Sequence, residues 1–398
     1  MARAWYYNYK EYLVGATSFF KGMDERIVRE GKNKDLETDS ELLNFFQDLQ
    51  KEDITKFIFE SNNIEEEGLK EGMTQKLVFD LVKEEELDEI LQDFSKRLFN
   101  VKYEIIPKKS FNPKKLDLND FDLIMRYKGK KKDIGVAMNS FVALMVAREF
   151  MSDYTTNLTV YMNNEEKAKK LAKAMMNSDY IHSTGSLFSK FIRFIKSKND
   201  DGNYLISEEK IKKLHKTIAE GLDNNKNGDP GEYRPHPAHA ADYKTVYMEP
   251  VLIEKSMGNL IKNYQERYKK PYYNPFVEAC KLTGDFNIIH PFGDFNGRIG
   301  RILLNMILQF EMMPFYLILR SVKKDKHRYI TAMKHYYNGK PNTYLALVCM
   351  TFIERMNSIN SRLELAGIEA IEPVKLKKHE LEMIDKALQD YQSTSRPF

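Results

Sequence analysis

Apolar residues recur at three- and four-residue spacing over 42–49, 76–98, 136–151, 165–176, 187–196, 208–222 and 251–268, a period that predicts helices with one buried face. Alternation of the kind a strand needs is short and rare. Residues 103–106 and 158–162 read as local hairpins or edge pieces, and residues 245–248 as a third extended run. The stretch 105–118 sets Pro107 and Pro113 among lysines and reads as a loop. The pattern predicts a mainly α protein in three parts: an N-terminal helical region over 1–125, a helical core over 126–360, and a charged tail over 361–398 carrying one peripheral helix. No internal repeat or low-complexity tract stands out.

One run changes character halfway. In 288–310, IIHPFGDFNGRIGRILLNMILQF, the first part crowds His290, Pro291, Asp294, Asn296 and Gly297 into a loop. From Arg298 onward, Ile299, Ile302, Leu303, Met306, Ile307 and Phe310 fall on one face of a helix that begins at Asn296 or Gly297. A helix start offers unpaired N–H groups and the positive end of the dipole, and a glycine there lets an anion reach the backbone. Arg298 and Arg301 stand one turn apart, where two forked cations can hold phosphate oxygens. Asp294 supplies a hard oxygen of the kind magnesium takes alongside phosphate and water. His290 supplies the side chain suited to removing a hydroxyl proton near neutral pH. Each residue alone has a plainer reading as a turn, a cap or a solvated charge. Together, on one loop feeding one helix, they point to chemistry on a phosphorylated ligand.

HPFGDFNGRIGR resembles the signature of the Fic family, His-Pro-Phe-x-(Asp/Glu)-Gly-Asn-Gly-Arg-x-x-Arg. Residues 211–234, ending in Gly-Glu-Tyr-Arg, are similar to the helix and turn that precede that family's flap, and Tyr329 is similar to its nucleotide-side tyrosine; the likeness covers 130–355. The resemblance implies a Fic-type helical bundle with a small β-hairpin flap. It also implies a protein adenylyltransferase that moves AMP from ATP to a Ser, Thr or Tyr hydroxyl, with Mg2+ as cofactor. In that scheme His290 is the base, Asp294 holds the metal, and Asn296 and Gly297 surround the α- and β-phosphates. Arg298 contacts the β-phosphate, Arg301 the γ-phosphate, and Tyr329 lies near the adenine. Thr245, Val246, Tyr247 and Met248 correspond to the flap, which docks the target as an added strand. Phe295 departs from the family's Gly or small residue and is expected to pack inward. It leaves the donor open, so removal of AMP, or transfer of UMP, phosphate or phosphocholine, stands as the alternative. A non-enzymatic nucleotide-binding module is a further one, which an intact His290 argues against.

Upstream, Ser61-Asn62-Asn63-Ile64-Glu65 resembles the family's inhibitory motif, Ser/Thr-x-x-x-Glu followed by Gly or Asn, with Glu66 in the last place. Ser61 and Glu65 share a helix face. The resemblance implies an N-terminal inhibitory helix on which Glu65 pairs bidentately with Arg301 and takes the place of the γ-phosphate. Asn62 with Glu65 also reads as a helix cap pair, and the acidic cluster as a solvated face.

Bulk properties narrow the classes. The net charge is only +4 and is spread along the chain, which gives nucleic-acid binding no support. The two cysteines, Cys280 and Cys349, match no metal spacing. No secretory h-region and no uncharged apolar run of membrane-spanning length is evident, so the expectation is a cytoplasmic protein with no membrane partner. The expected partners are ATP, a hydroxyl-bearing protein target, the chain itself as a substrate, and a second copy in a possible homodimer. Residues 197–208 place Asn199, Asp201, Gly202 and Glu208 at EF-hand offsets but begin on Ser197, and residues 223–234 end on Arg234 where calcium needs a Glu. Both read more simply as turns.

Overall fold

The computed structural model describes residues 5–33, 41–82, 87, 126, 127, 129–162, 165–182, 187–198, 202–222, 228–240, 246–311 and 313–393. Within them the chain forms helices α1 (Tyr9–Asn33), α2 (Glu41–Ile64), α3 (Glu71–Leu81), α4 (Lys131–Met162), α5 (Glu165–Met176), α6 (Leu187–Lys198) and α7 (Glu208–Ala219). These are followed by α8 (Pro250–Tyr268), α9 (Pro275–Ile289), α10 (Asn296–Phe310), α11 (Lys323–Tyr337), α12 (Asn342–Leu365) and α13 (Lys378–Ser393). The mainly α expectation holds; α12 runs into the charged tail as far as Leu365, and α13 follows within it.

The site rests on α9 and α10, whose buried faces meet. Asn274 starts α9 by accepting from the backbone N–H groups of Phe276 and Val277 at 3.1 and 3.3 Å, with Pro275 in the first turn. Every residue of α9 except Asn287 is buried, so it is the central helix and shows no solvent-facing side; its buried charges are paired, Glu278 with Arg267 and Lys281 with Asp285. A Cβ on Gly284 would collide with the Tyr336 ring, which is how α11 comes so close. The helix stops at His290, whose left-handed backbone (φ 50°, ψ 57°) turns the chain through Pro291–Phe295 into α10.

One hydrophobic core runs from Leu13 in α1 to Tyr391 in α13. α1 lies along α12 and α13 against α9, so both ends of the described chain close over the same centre. α2 packs on α3, α4 and α10, which carries its C-terminal turn to the start of α10. The segment Lys131–Ser152 of α4 is long and apolar enough to cross a membrane, and most of it is buried against neighbouring helices such as α2, α3 and α7. At the far end of α10, Arg193 of α6 and Glu311 form a fully buried ion pair at 2.8 Å, with the guanidinium over the Tyr273 ring.

Several expectations change. Residues 158–162 are not a strand: α4 runs unbroken to Met162, because continued helical hydrogen bonding outweighs the local β preference of Thr159 and Val160. Residues 42–49 are only the first part of the 24-residue α2. The helix expected over 76–98 is described only as far as Leu81, and residues 103–106 and the whole of 105–118 lie outside the described residues. Among the described residues the flap contains no named strand. A single antiparallel bridge joins His239 to Val246, and the Tyr247 N–H donates to the Ala238 carbonyl at 3.0 Å. In 197–208, the Lys196 ammonium takes the Asn203 carbonyl, the seventh-position oxygen a calcium loop would need, and Ser207 caps α7.

Candidate active site

The loop between α9 and α10 is held shut by one amide. Asn296 Nδ2 donates to the Phe292 carbonyl at 2.7 Å and its Oδ1 accepts from the Phe292 N–H at 3.0 Å. The Asn296 side chain is thereby committed to the loop, so its contribution to an anion site comes from the backbone. Phe295, at the N-cap of α10, offers no side-chain cap, which leaves the first-turn N–H groups open to an outside acceptor. Gly297 is required for that access: a Cβ there would lie 2.5 Å from Glu65 Oε1 and 3.2 Å from Arg301 Nη1.

Phe295 packs inward as expected. Its ring is buried, meets His215 edge-on, and carries the Arg298 guanidinium 4.1 Å above its centre. Its backbone is left-handed (φ 61°), which explains why glycine suits this position and why a large residue must be held by packing. Behind it, His215 stacks on Phe292 at 3.8 Å and accepts from the Gly231 N–H at 2.9 Å. Burial pushes His215 down to about 4, so it is a neutral packing element at pH 7.

His290 lies at the mouth of this loop with the Tyr247 ring stacked on it at 3.7 Å, nearly parallel. Burial first, and then the nearby Arg234 cation, push the imidazole down to about 4 against the opposing pull of Asn287 and Glu65. It is therefore neutral and able to accept a proton at physiological pH. Arg234 anchors the surroundings: Nε donates to the His290 carbonyl at 2.7 Å, Nη1 to the His236 carbonyl at 2.6 Å, and Nη2 to the Met248 carbonyl. One guanidinium thus ties the end of α9 to both arms of the flap. Tyr337 Oη donates to the Val246 carbonyl at 2.6 Å, and Met248 is buried, whereas Thr245 lies outside the described residues.

The two arginines of α10 are buried and both meet the turn that ends α2. Arg301 donates from Nε to Ser61 Oγ at 2.9 Å, and from Nη2 to the Ser61 carbonyl and Glu65 Oε1, each at 2.8 Å. The contact with Glu65 is a single hydrogen bond and not the bidentate pair expected, because Ser61 takes the other edge of the guanidinium. Burial raises the Glu65 carboxyl, but Arg301 and Arg298 outweigh it and hold the group below its ordinary value. Arg298 meets Glu67, which the sequence reading did not single out, at 2.8 Å. Tyr329 is buried in α11 with Arg301 5.8 Å from its ring centre. Asp294, about a third exposed, accepts from the Phe295 N–H at 2.6 Å and stands 3.6 Å from Arg298. One carboxylate beside an open helix start fits a magnesium that takes its other ligands from phosphate and water. Among the described residues no group of three or more His, Cys, Asp or Glu side chains converges as a metal site of its own.

His290, Asp294, Asn296, Gly297, Arg298, Arg301, Ser61, Glu65 and the Tyr247 end of the flap thus gather at one helix start. Arg234, Tyr247 and Glu67 add contacts that the sequence pattern did not assign. Fold and site together define a helical protein with an anion-accepting loop–helix and an adjacent neutral histidine. The model of the Fic/DOC family matches residues 205–308. A Fido domain-containing protein of Dictyostelium discoideum is 33% identical over 124 residues, 30% of this chain and 83% of that protein. The chain therefore belongs to the Fic/DOC, or Fido-domain, family, whose members are typically enzymes that transfer nucleotides or other groups onto proteins. Among solved structures, it is similar to a Fic domain containing signaling protein from Bacteroides thetaiotaomicron, with 16% identity, a TM-score of 0.44, and coverage of 93% of this chain and 97% of that one. It is also similar to Fic-1 of C. elegans, with 13% identity, a TM-score of 0.47, and coverage of 88% and 73%.

Proposed function

We propose that the chain is a protein adenylyltransferase that moves AMP from ATP to a Ser, Thr or Tyr hydroxyl, held in check by the end of α2. The observation that carries this is the seating of carboxylates from that turn on both α10 arginines beside Gly297, where a donor's phosphates would bind. In the reaction, the target hydroxyl oxygen attacks the α-phosphorus, the neutral His290 imidazole accepts the hydroxyl proton, and the bond to the β-phosphate breaks to release pyrophosphate. The Asn296 and Gly297 backbone steadies the phosphate charge at the helix start, and Arg298 and Arg301 steady the tail. Asp294 would hold Mg2+, which neutralises phosphate charge when bound. Tyr329 borders the base side, and Val246 and Tyr247 present the flap to the target. Tyr247 must swing off His290 before a hydroxyl can reach it.

Glu65→Gly, which frees Arg301, tests the donor chemistry with ATP labelled at either end. Adenylyl transfer leaves α-phosphate label on protein and γ-phosphate label in pyrophosphate. Protein-bound γ label would replace this reading with phosphate transfer.

A further inference from the structure

The turn after α2 delivers a second carboxylate, and what it touches defines a site of its own. Glu66 has left-handed backbone (φ 61°), the Glu67 N–H donates to the Asn62 carbonyl and the Glu66 N–H to the Asn63 carbonyl, both at 3.1 Å. This Schellman arrangement turns the chain so that Glu67 leaves on the same side as Glu65. Glu67 Oε2 accepts from Arg298 Nη1 at 2.8 Å, and its other oxygen, Oε1, accepts from the Lys132 ammonium at the start of α4. The next residue is latched to that helix as well, the Gly68 N–H donating to Asp133 Oδ1 at 3.1 Å. Burial raises the Glu67 carboxyl, but hydrogen bonds from Lys132 and Arg298 outweigh it and keep it ionised. Arg298 itself is 3% exposed in its side chain, and its buried Nε has no hydrogen-bond partner. A buried guanidinium with donor capacity to spare, facing an ammonium across one carboxylate, is arranged to hold an anion with several oxygens.

We propose that Lys132 joins Arg298, already assigned to the donor's phosphates, in completing a second phosphate subsite beside that of Gly297 and Arg301, and that Glu67 fills it at rest and yields it to a phosphate of the donor beyond the α-position when the α2 turn withdraws. Lys132 is then a donor-binding residue, and the brake has two arms, Glu65 on Arg301 and Glu67 on Arg298 with Lys132. Freeing Arg301 alone leaves the second subsite occupied. The inference rests on the reading of this site as one for a nucleoside triphosphate, and its test separates the two.

The test is calorimetric binding of ATP and of AMP to the full chain as Glu65→Gly, Glu65→Gly/Glu67→Gln and Glu65→Gly/Glu67→Gln/Lys132→Ala. Lys130→Ala, in the double-variant background, controls for loss of a neighbouring exposed charge. Adding Glu67→Gln is expected to tighten ATP about tenfold, the scale of one charge-assisted hydrogen bond, and to leave AMP within about twofold. Lys132→Ala is expected to reverse the ATP gain alone, Lys132→Arg to restore it, and Lys130→Ala to leave the ATP-to-AMP ratio unchanged. No gain from Glu67→Gln, or equal loss of ATP and AMP on Lys132→Ala, overturns the subsite even if Glu65→Gly transfers AMP. If Lys132→Ala selectively weakens ATP while no variant transfers AMP, the subsite stands and the transfer reading falls. ATP binding by none of the variants overturns both.

Discussion

His290 shows how much one residue's surroundings decide. A histidine exposed on a loop would be partly charged near neutrality, but burial and the Arg234 cation push this one down to about 4. The sign follows directly. Neutral burial contributes stability that is fully present above the unfolded value near 6.5 and is lost as pH falls through about 4. In an NMR titration of the imidazole C–H signals, identified by comparison with His290→Ala and His215→Gln, neither His290 nor His215 should titrate between pH 5.5 and 8. A midpoint near 6.5 for His290 would mean that burial and Arg234 do not depress it as this structure implies. His290 was legible because its loop carries a long signature. Tyr247 was legible as part of the flap and Arg234 as the end of the preceding turn, but their contacts around His290 were not, because a ring stack and a guanidinium shared among three carbonyls are facts of three-dimensional placement. Phe295 was legible as a departure, whereas its service as a platform for Arg298 appears only in the fold.

At the scale of elements, α9 and α10 differ in how much of each the residue pattern reveals. α10 keeps an ordered apolar stripe after its polar start and was placed to within a residue. α9 is buried nearly all round, and even its charged residues Glu278, Lys281 and Asp285 are buried in ion pairs, so it has no solvent-facing polar side for a period to reveal. The first arm of the flap was missed for another reason: Pro235 and Pro237 interrupt any alternation, and the pairing shows in the fold, in the His239–Val246 bridge and the Tyr247 N–H bond to the Ala238 carbonyl. The end of α2 carries its own prediction. Glu66 occupies the left-handed closing position that glycine adopts without strain, and its only described ion pair, with Lys326, is exposed on the glutamate side. Glu66→Gly should therefore raise the melting temperature by about 1–2 °C and leave the α2 turn seated, with no gain in transfer activity. A lower melting temperature would mean that the Lys326 pair outweighs the backbone strain.

Across the whole molecule, residues distant in sequence form the site. Ser61, Glu65 and Glu67 meet Arg298 and Arg301 because α2 packs on α10 over a core shared with α1, α12 and α13. The buried Arg193–Glu311 pair anchors the far end of α10. Removing either partner would leave a buried charge unpaired, so the start of α10 is held on a stiff support while the exposed α2 turn is the part free to yield. This arrangement separates catalytic groups from the restraint on them. The most direct test is intact mass spectrometry of wild type, Glu65→Gly and Glu65→Gly/His290→Ala after incubation with ATP and magnesium. The account predicts an adenylate adduct on Glu65→Gly that is absent from the His290→Ala double variant and low or absent in wild type. Equal adenylation with and without His290 would contradict it, as would wild type modified as fully as Glu65→Gly.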